Sequence, residues 1–404
     1  MSVEQRSRIL IPTGHYLPAF KAGGPIRTLQ AIMDRLGDEF AFYILTSDRD
    51  LSDTSPFAGV CYGDWQTVGK AQVRYLAPRE CTIWGLCKLL NYIPYDLLYL
   101  NSFFDPVFTI QVLVLRRLGL IPHRPVVLAP RGAFSPGALR QKSVKKQSYI
   151  RLSRLLGLYR DVYWQASSEQ EGKNIVRGFF GDTGQLKQSL NIVVAPDLVP
   201  VYNENYPKMT ILKEQGSLRI TFLSRMSPMK NLEFAIDAIG SLVGRVIFDI
   251  YGPINNTPYE QDYWAHCSKL LQDLPANITA TYHGPVNPTE VPQIMASHDL
   301  FILPTLGENF GHVIIESLCS GCPVLISDRT PWHNLADHHA GWDFPLEQPQ
   351  AFKRVLQSLV EMDEAEYSVW RGGARAYAQR YLSDNTNIER QRQLFLTALG
   401  GSPL

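Results

Sequence analysis

Two glutamates at a fixed spacing are the first feature of this sequence that could do chemistry. Glu308 and Glu316 lie between Pro304 and Ser327, a segment whose pattern predicts a strand, a loop, a helix and a second strand. Glu308 falls in the loop, and Glu316 lies about two turns along a helix that opens near Phe310 and Gly311. A helix start presents unpaired backbone N–H groups and a positive dipole, which suit anionic or hydroxyl-rich ligands. We expect the two carboxylates to accept hydrogen bonds from two sets of sugar hydroxyls, although such pairs also occur as solvated residues flanking a helix.

The elements that must position these residues follow a repeating pattern. Short β-branched or aromatic runs alternate with amphipathic stretches, which is typical of parallel sheets covered by helices. The predicted strands are Arg8 to Ile11, Phe40 to Thr46, Val73 to Leu76, Asp96 to Leu100, Val126 to Leu128, Val162 to Gln165, Ile192 to Val194, Leu218 to Leu223, Val246 to Ile250, Ile278 to Tyr282, Leu300 to Leu303 and Val324 to Ile326. An apolar stripe from Ile26 to Leu36, closed by Gly37, predicts a helix after the first strand. The sequence therefore predicts an α/β fold.

The strand series stops once and restarts, which divides the chain. The segment Asp197 to Gly216 is rich in Pro, Asn and Gly and is the predicted linker. We predict one Rossmann-like, doubly wound domain over residues 1–200 and a second over 201–375. Residues 376–404 are predicted to be a helical extension that packs back toward the first domain. Two such domains in tandem place a ligand in a central cleft, where the carboxyl ends of both sheets meet.

Composition excludes several classes of protein. The chain has 404 residues, of which 45% are apolar and 19% charged, which is ordinary for a globular protein and excludes a disordered chain, collagen or a disulfide miniprotein. No apolar run approaches the roughly 18 residues that a membrane helix needs. The start, Met1 to Arg8, lacks the apolar core of a signal peptide, so we expect a cytoplasmic location. The six cysteines do not form a disulfide framework and could all remain thiols.

The near-neutral net charge of +1 conceals two oppositely charged halves. Residues 1–200 carry 24 basic and 16 acidic side chains, whereas residues 201–404 carry 15 and 22. Either the first half faces something anionic, or the two domains attract each other. Within the first half, Arg140 to Arg160 has seven basic residues, no acid and several leucines. This segment predicts a basic amphipathic helix for an anionic membrane surface or a lipid-linked phosphate, with a solvated helix face as the alternative.

Three motifs resemble one enzyme family, and their order and spacing along the chain match that family over essentially its whole length. Glu308-Asn309-Phe310-Gly311 with Glu316 and a following Gly-x-Pro-Val-Leu-Ile-Ser is similar to the donor-site signature of family-4 retaining glycosyltransferases of the GT-B fold. Leu223-Ser-Arg-Met-Ser-Pro-Met-Lys-Asn231 resembles the family segment whose Arg and Lys clamp the donor diphosphate. Lys21-Ala-Gly-Gly-Pro25, with Gly23 and Gly24, resembles the glycine loop that closes on that diphosphate. The resemblance implies a nucleoside-diphosphate sugar as co-substrate, retention at the anomeric carbon, and neither a metal nor a cofactor.

Physical chemistry agrees with the roles that the resemblance implies for Arg225 and Lys230. A leaving nucleoside diphosphate gains negative charge as the glycosidic bond breaks, so cations beside it stabilise the transition state more than the ground state. Arg225 can reach two oxygens with its planar fork, while Lys230 acts as a compact point charge. Without the downstream glutamates, both residues could equally be ordinary loop residues.

Other candidate sites have weaker signals. Asp48-Arg-Asp50 forms the D-x-D pattern by which metal-dependent GT-A glycosyltransferases hold a divalent ion, but short acidic loops and helix caps are commoner after a strand. Cys319 and Cys322 form a lone C-x-x-C, for which packing is a better interpretation than zinc or redox chemistry. His333, His338 and His339 lack metal-ligand spacing to any cysteine and are expected to be surface histidines.

The acceptor side departs from the family pattern. Ala129-Pro-Arg-Gly-Ala-Phe134 aligns with a family segment that often reads Pro-His-Gly, with a histidine near the reacting sugar, and this sequence has Arg131 there. Arginine cannot act as a general base at neutral pH, so Arg131 would either grip an anionic acceptor or the diphosphate, or form a structural ion pair. His15, in the loop after the first strand, is a second acceptor-side candidate.

The sequence therefore predicts a metal-independent retaining hexosyltransferase of the GT-B fold. Its expected partners are a nucleotide sugar and a glycan or lipid-linked acceptor, as in polysaccharide or lipopolysaccharide biosynthesis, with no nucleic acid. Its expected location is the cytoplasm, including the inner face of the membrane. Two alternatives remain: a catalytically silent nucleotide-sugar-binding subunit, favoured by Arg131, and a metal-dependent transferase that uses Asp48 and Asp50.

Overall fold

The computed structural model describes residues 6–140, 143–181, 191–200, 212–255 and 257–400. The strands are β1 Arg8–Thr13, β2 Ala41–Ser47, β3 Trp65–Val68, β4 Ala71–Leu76, β5 Leu97–Asn101, β6 Val126–Ala129, β7 Val162–Ala166, β8 Ile192–Val194, β9 Ser217–Leu223, β10 Arg245–Tyr251, β11 Ile278–Gly284, β12 Leu300–Leu303, β13 Val324–Ser327 and β14 Gly341–Phe344. The α-helices are α1 Gly24–Leu36, α2 Ile83–Tyr92, α3 Val112–Arg117, α4 Pro136–Arg140, α5 Ser143–Leu155, α6 Glu169–Ile175, α7 Leu232–Ile239, α8 Pro258–Gln272, α9 Val291–Ala296, α10 His312–Cys319, α11 Pro349–Glu361, α12 Glu364–Ser383 and α13 Thr386–Ala398. Two π-helical segments, Pro106–Gln111 and Val176–Phe180, and two 3-10 turns, Pro228–Lys230 and Ala336–His338, complete the described elements.

The chain forms two compact units. Unit 1 comprises Met1–Val201 and Asn385–Leu404, and unit 2 comprises Tyr202–Asp384. The predicted linker, Asp197 to Gly216, spans this division, and its residues 201–211 lie outside the described residues. The predicted extension of residues 376–404 is shared between the units, because α12 ends in unit 2 and α13 belongs to unit 1.

Unit 1 is built on an eight-stranded sheet in the order β3-β4-β2-β1-β5-β6-β7-β8. All pairs are parallel except β3 with β4. One face of the sheet packs against α2, α3 and α5, through a core that includes Leu90, Leu113 and Ile150. The opposite face packs against α1 and α13. The Phe395 ring of α13 lies 5.5 Å from that of Tyr99, so the last helix completes the apolar cover of this sheet.

Unit 2 is a six-stranded parallel sheet in the order β11-β10-β9-β12-β13-β14. The chain leaves β9 toward β10 on one side and leaves β12 toward β13 on the other side. The adjacent central strands β9 and β12 therefore define the point where the strand order reverses. In open parallel sheets, the loops that follow the strands at such a point form the ligand site.

The predicted α/β class and all twelve predicted strands are confirmed. Two strands were missed. The strand β3 is a four-residue antiparallel edge strand, and β14 begins with Gly341 at the other sheet's edge, so neither has the buried apolar run by which the central strands were recognised. No helix among the described residues is long and apolar enough to span a bilayer.

Candidate active site

The loops that follow β9 and β12 are bonded to each other at the centre of unit 2. The backbone carbonyl of Met229 accepts hydrogen bonds from the Leu306 amide at 2.8 Å and from Thr305 Oγ1 at 3.0 Å. The Asn231 side chain donates to the Pro304 carbonyl at 3.0 Å. These bonds hold the segment with the two predicted cations against the segment with the predicted glutamates.

Lys230 and Glu308 form an ion pair across these two loops. Each of the two side chains is only about one-sixth exposed to solvent, so the ion pair is largely buried. The Glu308 amide also donates to the Arg329 carbonyl at 2.9 Å, which fixes the backbone that carries the carboxylate. A cation and a carboxylate predicted separately from the sequence therefore occupy one position in the fold.

Arg225 lies in the loop after β9 with an accessible guanidinium. Its side chain is 46% exposed, and its Nε lies 3.6 Å from a carboxylate oxygen of Glu260. Glu260 is in the first turn of α8, beside the capping residue Thr257, and was not identified from the sequence. The spacing Thr257-x-x-Glu260 is that of a capping box and could have indicated the helix start, but nothing local indicated the contact with Arg225.

The helix α10 begins immediately after Gly311, as the sequence predicts. Gly311 has φ of 82° and ψ of 62°, and a Cβ at this position would lie 3.0 Å from Glu308 Cγ and 2.8 Å from Ile314 Cδ1. The turn that places the Glu308 carboxylate at this helix start therefore requires glycine. The Trp332 indole donates to the Phe310 carbonyl and holds the preceding residue. Glu316 is buried and lies just over one turn into α10 instead of the predicted two turns, because the helix begins only at His312.

Two buried polar atoms at this site have no hydrogen-bond partner among the described residues. They are the hydroxyl of Ser227, which stands between Arg225 and Lys230 in sequence, and the side-chain nitrogen of Asn309. Buried polar atoms are nearly always satisfied, so both are candidates for bonds to a ligand. Ser227 was not singled out from the sequence, although it lies inside the recognised motif.

In unit 1, the glycine loop is held by one of the two aspartates of the D-x-D motif. The Asp50 carboxylate accepts the amides of Phe20 and Lys21, at 2.9 and 3.2 Å. Gly23, with φ of 72°, then caps α1, whose first residue is Gly24. The loop before α1 is therefore positioned by a side chain that the sequence presented as a potential metal ligand.

The other aspartate of that motif also has a hydrogen-bond partner within the loop. Asp48 is buried and accepts a hydrogen bond from Arg49 Nε at 2.7 Å. Asp48 and Asp50 thus have the contacts of the loop interpretation. Among the described residues, no group of three or more His, Cys, Asp or Glu side chains is arranged to hold a metal ion.

His15 follows β1, and its Nδ1 is buried without a hydrogen-bond partner in the described part of the chain. Asp105, which caps the π-helical segment after β5, accepts the amides of Val107 and Phe108 at 2.9 and 2.8 Å. Burial raises the pKa of Asp105, while these amides and the nearby His15 act in the opposite direction. His15 therefore lies beside a carboxylate at the carboxyl end of the sheet of unit 1.

Arg131 is the centre of a buried polar network in unit 1. Its Nε donates to Asn101 at 2.7 Å, its Nη2 donates to the Tyr99 hydroxyl at 2.8 Å, and its Nη1 forms an ion pair with Asp197. Both partners of the ion pair are almost fully buried. Burial tends to lower the pKa of Arg131, but Asp197 and the other neighbours raise it overall. These are the contacts of a structural ion pair, the second of the two interpretations considered for this residue.

The remaining candidates are the C-x-x-C cysteines and the three predicted surface histidines. Burial raises the pKa of the Cys319 and Cys322 thiols to about 12 in each case, so neither resembles a reactive or metal-binding thiolate. Nδ1 of His333 lies 3.6 Å from Asp343, and the rings of the other two predicted surface histidines lie beside Tyr377 and Trp370.

Comparison with known proteins finds a family match for the segment that contains this site. Residues 208–375 match the sequence model of the family described as Glycosyl transferases group 1. The sulfoquinovosyl transferase SQD2 of Arabidopsis thaliana is 31% identical over 107 residues, which are 26% of this chain and 18% of that protein. A D-inositol 3-phosphate glycosyltransferase of Jonesia denitrificans is 27% identical over 178 residues, which are 41% of this chain and 40% of that protein. The chain thus spans less than half the length of these two relatives.

A solved structure matches over nearly the full length. Anabaena Alr3699/HepE, in complex with UDP and glucose, superposes with a TM-score of 0.67 at 18% identity, covering 97% of this chain and 99% of that one. Together with the two parallel-sheet units, this likeness shows that the protein has the GT-B fold. The predicted GT-B fold is confirmed.

Proposed function

We propose that this protein is a family-4 retaining hexosyltransferase, which moves a sugar from a nucleoside-diphosphate sugar to a glycan or lipid-linked acceptor without a metal ion. The observation that carries the proposal is the Lys230–Glu308 ion pair, at the point where the strand order of unit 2 reverses. The match of residues 208–375 to Glycosyl transferases group 1 supports it.

The two cations have the properties that stabilisation of a leaving diphosphate requires. Arg225 offers a half-exposed planar fork, and Lys230 offers a charge held in place by its partner carboxylate. Negative charge grows on the diphosphate as the glycosidic bond breaks, so preorganised cations lower the barrier. Proton removal from the acceptor is left to the leaving phosphate, because Arg131 is committed to Asp197 and cannot act as a base.

The carboxylates and the start of α10 bind the neutral part of the donor. Glu308 and the backbone of residues 309–311 position the sugar, with the unpartnered Asn309 amide available to a sugar hydroxyl. Glu316 holds the nucleotide through its ribose. Gly23 and Gly24 in unit 1 keep their predicted donor-binding role, which rests on the resemblance alone.

A uridine diphosphate sugar is the first donor to test, because the HepE structure contains UDP and glucose. The acceptor is proposed to belong to polysaccharide or lipopolysaccharide biosynthesis. We propose a cytoplasmic enzyme that associates peripherally with the inner face of the membrane through the segment Arg140 to Arg160.

The test is nucleotide release by the purified protein from a panel of uridine, guanosine and adenosine diphosphate sugars. Arg225→Ala and Glu308→Ala should each abolish slow hydrolysis of the one accepted donor. Arg245→Ala is the matched control, since Arg245 is an exposed arginine at the opposite, amino end of strand β10. Release that survives in both site variants would refute the proposed site.

The first alternative is a nucleotide-sugar-binding subunit without turnover, which Arg131 at the usual histidine position favours. Calorimetric binding of a donor that is never hydrolysed, with or without oligosaccharide acceptors, would support this alternative. The metal-dependent alternative requires activity that a strong chelator removes. The hydrogen bonds to Asp48 and Asp50 argue against that alternative.

A further inference from the structure

The outer side of α2 carries two large aromatic residues that the fold leaves in solvent. Trp84 is 74% exposed and Tyr92 is 81% exposed, and Lys88 lies between them at helical spacing. The inner side of the same helix places Leu86, with its leucine neighbours, in the core of unit 1. Most of the surface of these two aromatic residues therefore lies outside the packing of this unit.

The helix α5 repeats this arrangement. Its Ile150 packs inward, whereas Leu152 and Leu155 are exposed, Leu155 by 84%. These two leucines lie on the outermost side of the helix, with Arg151 and Arg154 exposed beside them. The predicted amphipathic segment thus has apolar residues on its core-facing side and on its solvent-facing side, and basic residues flank those on the solvent-facing side. Residues 141 and 142 and the side chain of Arg140 lie outside the described part of this segment.

The turn after α3 joins these two helices into one surface. The Leu120 carbonyl accepts a hydrogen bond from the Asn91 side chain of α2 at 2.8 Å. Arg117 Nε donates to the Leu156 carbonyl, just after α5, at 3.0 Å. Leu118 and Leu120 are themselves exposed in this turn. We call the exposed sides of α2 and α5, with the turn of residues 118–120, the outer helical face.

The charge of this region has one sign. From Pro106 to Arg160, the sequence has eleven Lys and Arg residues and no Asp or Glu, and α2 has one Lys and no acid. Arg116 is buried and Arg131 is paired with Asp197, so the surface charge comes from exposed residues that include Arg117, Arg124, Lys145, Arg151 and Arg154. Both helices and the connecting turn lie on the same side of the eight-stranded sheet. An exposed apolar strip with a basic border is thus presented by a single helical layer.

We propose that the outer helical face is a docking surface for an anionic phospholipid bilayer, into which Trp84, Tyr92 and Leu155 insert. This inference rests on the proposed peripheral association and adds α2, which the sequence did not indicate. The amphipathic rings of Trp and Tyr favour the membrane interface, and Lys and Arg attract anionic headgroups. The main competing explanation for the apolar strip is an interface with a second copy of the chain. In such a dimer, the basic border of one copy would face the basic border of the other, and the like charges would repel.

The experiment is co-sedimentation of the full chain with vesicles of phosphatidylcholine alone, or containing about 30% phosphatidylglycerol. One double variant is Trp84→Ser with Tyr92→Ser, and the other is Leu152→Ser with Leu155→Ser. The matched control is Tyr259→Ser with Val369→Ser, since both residues are about half exposed but lie in unit 2. Thermal unfolding checks that each variant is folded.

We expect the wild type and the control to bind anionic vesicles and to bind neutral vesicles much more weakly. Each double variant should lower the partition coefficient by about tenfold or more, because apolar burial at the interface is lost. The proposal would be overturned if the double variants bound anionic vesicles as tightly as the wild type does. It would also be overturned if the wild type bound no vesicles, or bound neutral and anionic vesicles equally. A dimer in analytical ultracentrifugation that the Trp84 variant dissociates would overturn it as well.

The outcome is independent of the transfer reaction. Donor hydrolysis measured without vesicles should be the same in both double variants as in the wild type, because no altered residue lies in unit 2. A protein that hydrolyses donor but ignores vesicles would refute the docking surface alone, and one that binds vesicles but hydrolyses no donor would refute the transferase alone.

Discussion

Replacing Arg131 with methionine should destabilise unit 1 because it leaves Asp197 as an unpaired buried charge. The substitution also removes hydrogen bonds to Asn101 and to the Tyr99 hydroxyl. Breaking a buried ion pair from one side costs about 3–5 kcal/mol. For unit 1, roughly 220 residues long, this corresponds to a fall in melting temperature of about 6–20 °C.

Hydrogen exchange is the suitable assay, because a chain of two units need not unfold in a single step. Peptides from β5, β6 and β7 should lose protection by between about a hundred and several thousandfold, the equivalent of 3–5 kcal/mol. Peptides from the sheet of unit 2 should be unchanged and serve as the internal control. Arg177→Met removes an exposed arginine from the same unit and should change protection little.

A second variant separates the charge from its cavity. In Arg131→Met with Asp197→Leu, both members of the pair are apolar, so much of the lost protection should return. The structural interpretation would be refuted if Arg131→Met kept full protection while donor hydrolysis disappeared. That result would identify Arg131 as a ligand-binding cation.

Three further predictions concern unit 2 and the thiols. Lys230→Met should slow donor hydrolysis by about a hundred- to a thousandfold in a nucleotide-release assay, and an unchanged rate would contradict its role beside the diphosphate. Because burial raises the pKa of Cys319 and Cys322 to about 12, iodoacetamide at pH 8 should alkylate the exposed Cys61 and spare both, as read by mass spectrometry; rapid labelling of either would contradict the packing role. Burial alone would raise the pKa of Asp249, but hydrogen bonds from two histidines outweigh burial and lower this pKa. The ionised carboxylate therefore stabilises the folded state, and this stabilisation is lost as pH falls below about 4. Asp249→Asn should therefore flatten the acid side of the unfolding profile in urea, and a steeper profile would argue against this linkage.

Much of the fold could be predicted because its signals are local. A central strand such as β12, with four consecutive buried apolar residues, can be recognised from its composition alone. The edge strands β3 and β14 do not, since an edge strand is only partly covered and needs no such run. Gly311 was predictable as a helix start, because a positive φ before an amphipathic run favours glycine wherever it occurs.

The pairings within the sites were not predictable. Lys230 and Glu308 are 78 residues apart, and Arg131 and Asp197 are 66 apart, so no periodicity relates the members of either pair. The same holds for Asp50, whose carboxylate supports the glycine loop 30 residues before it. The order of strands in each sheet decides which loops become neighbours, and that order reflects the packing of the whole unit.

The sequence by itself determined twelve of the fourteen described strands and, through its resemblance to a known family, the GT-B class. Only the tertiary structure decided which charge each side chain meets: Arg131 is neutralised by Asp197, while Arg225 keeps an exposed fork. It also decided that α13 covers the sheet of unit 1 and that Trp84 and Tyr92 remain in solvent. Secondary structure depends on patterns within about ten residues, whereas burial and ion pairing depend on neighbours that only the folded chain supplies.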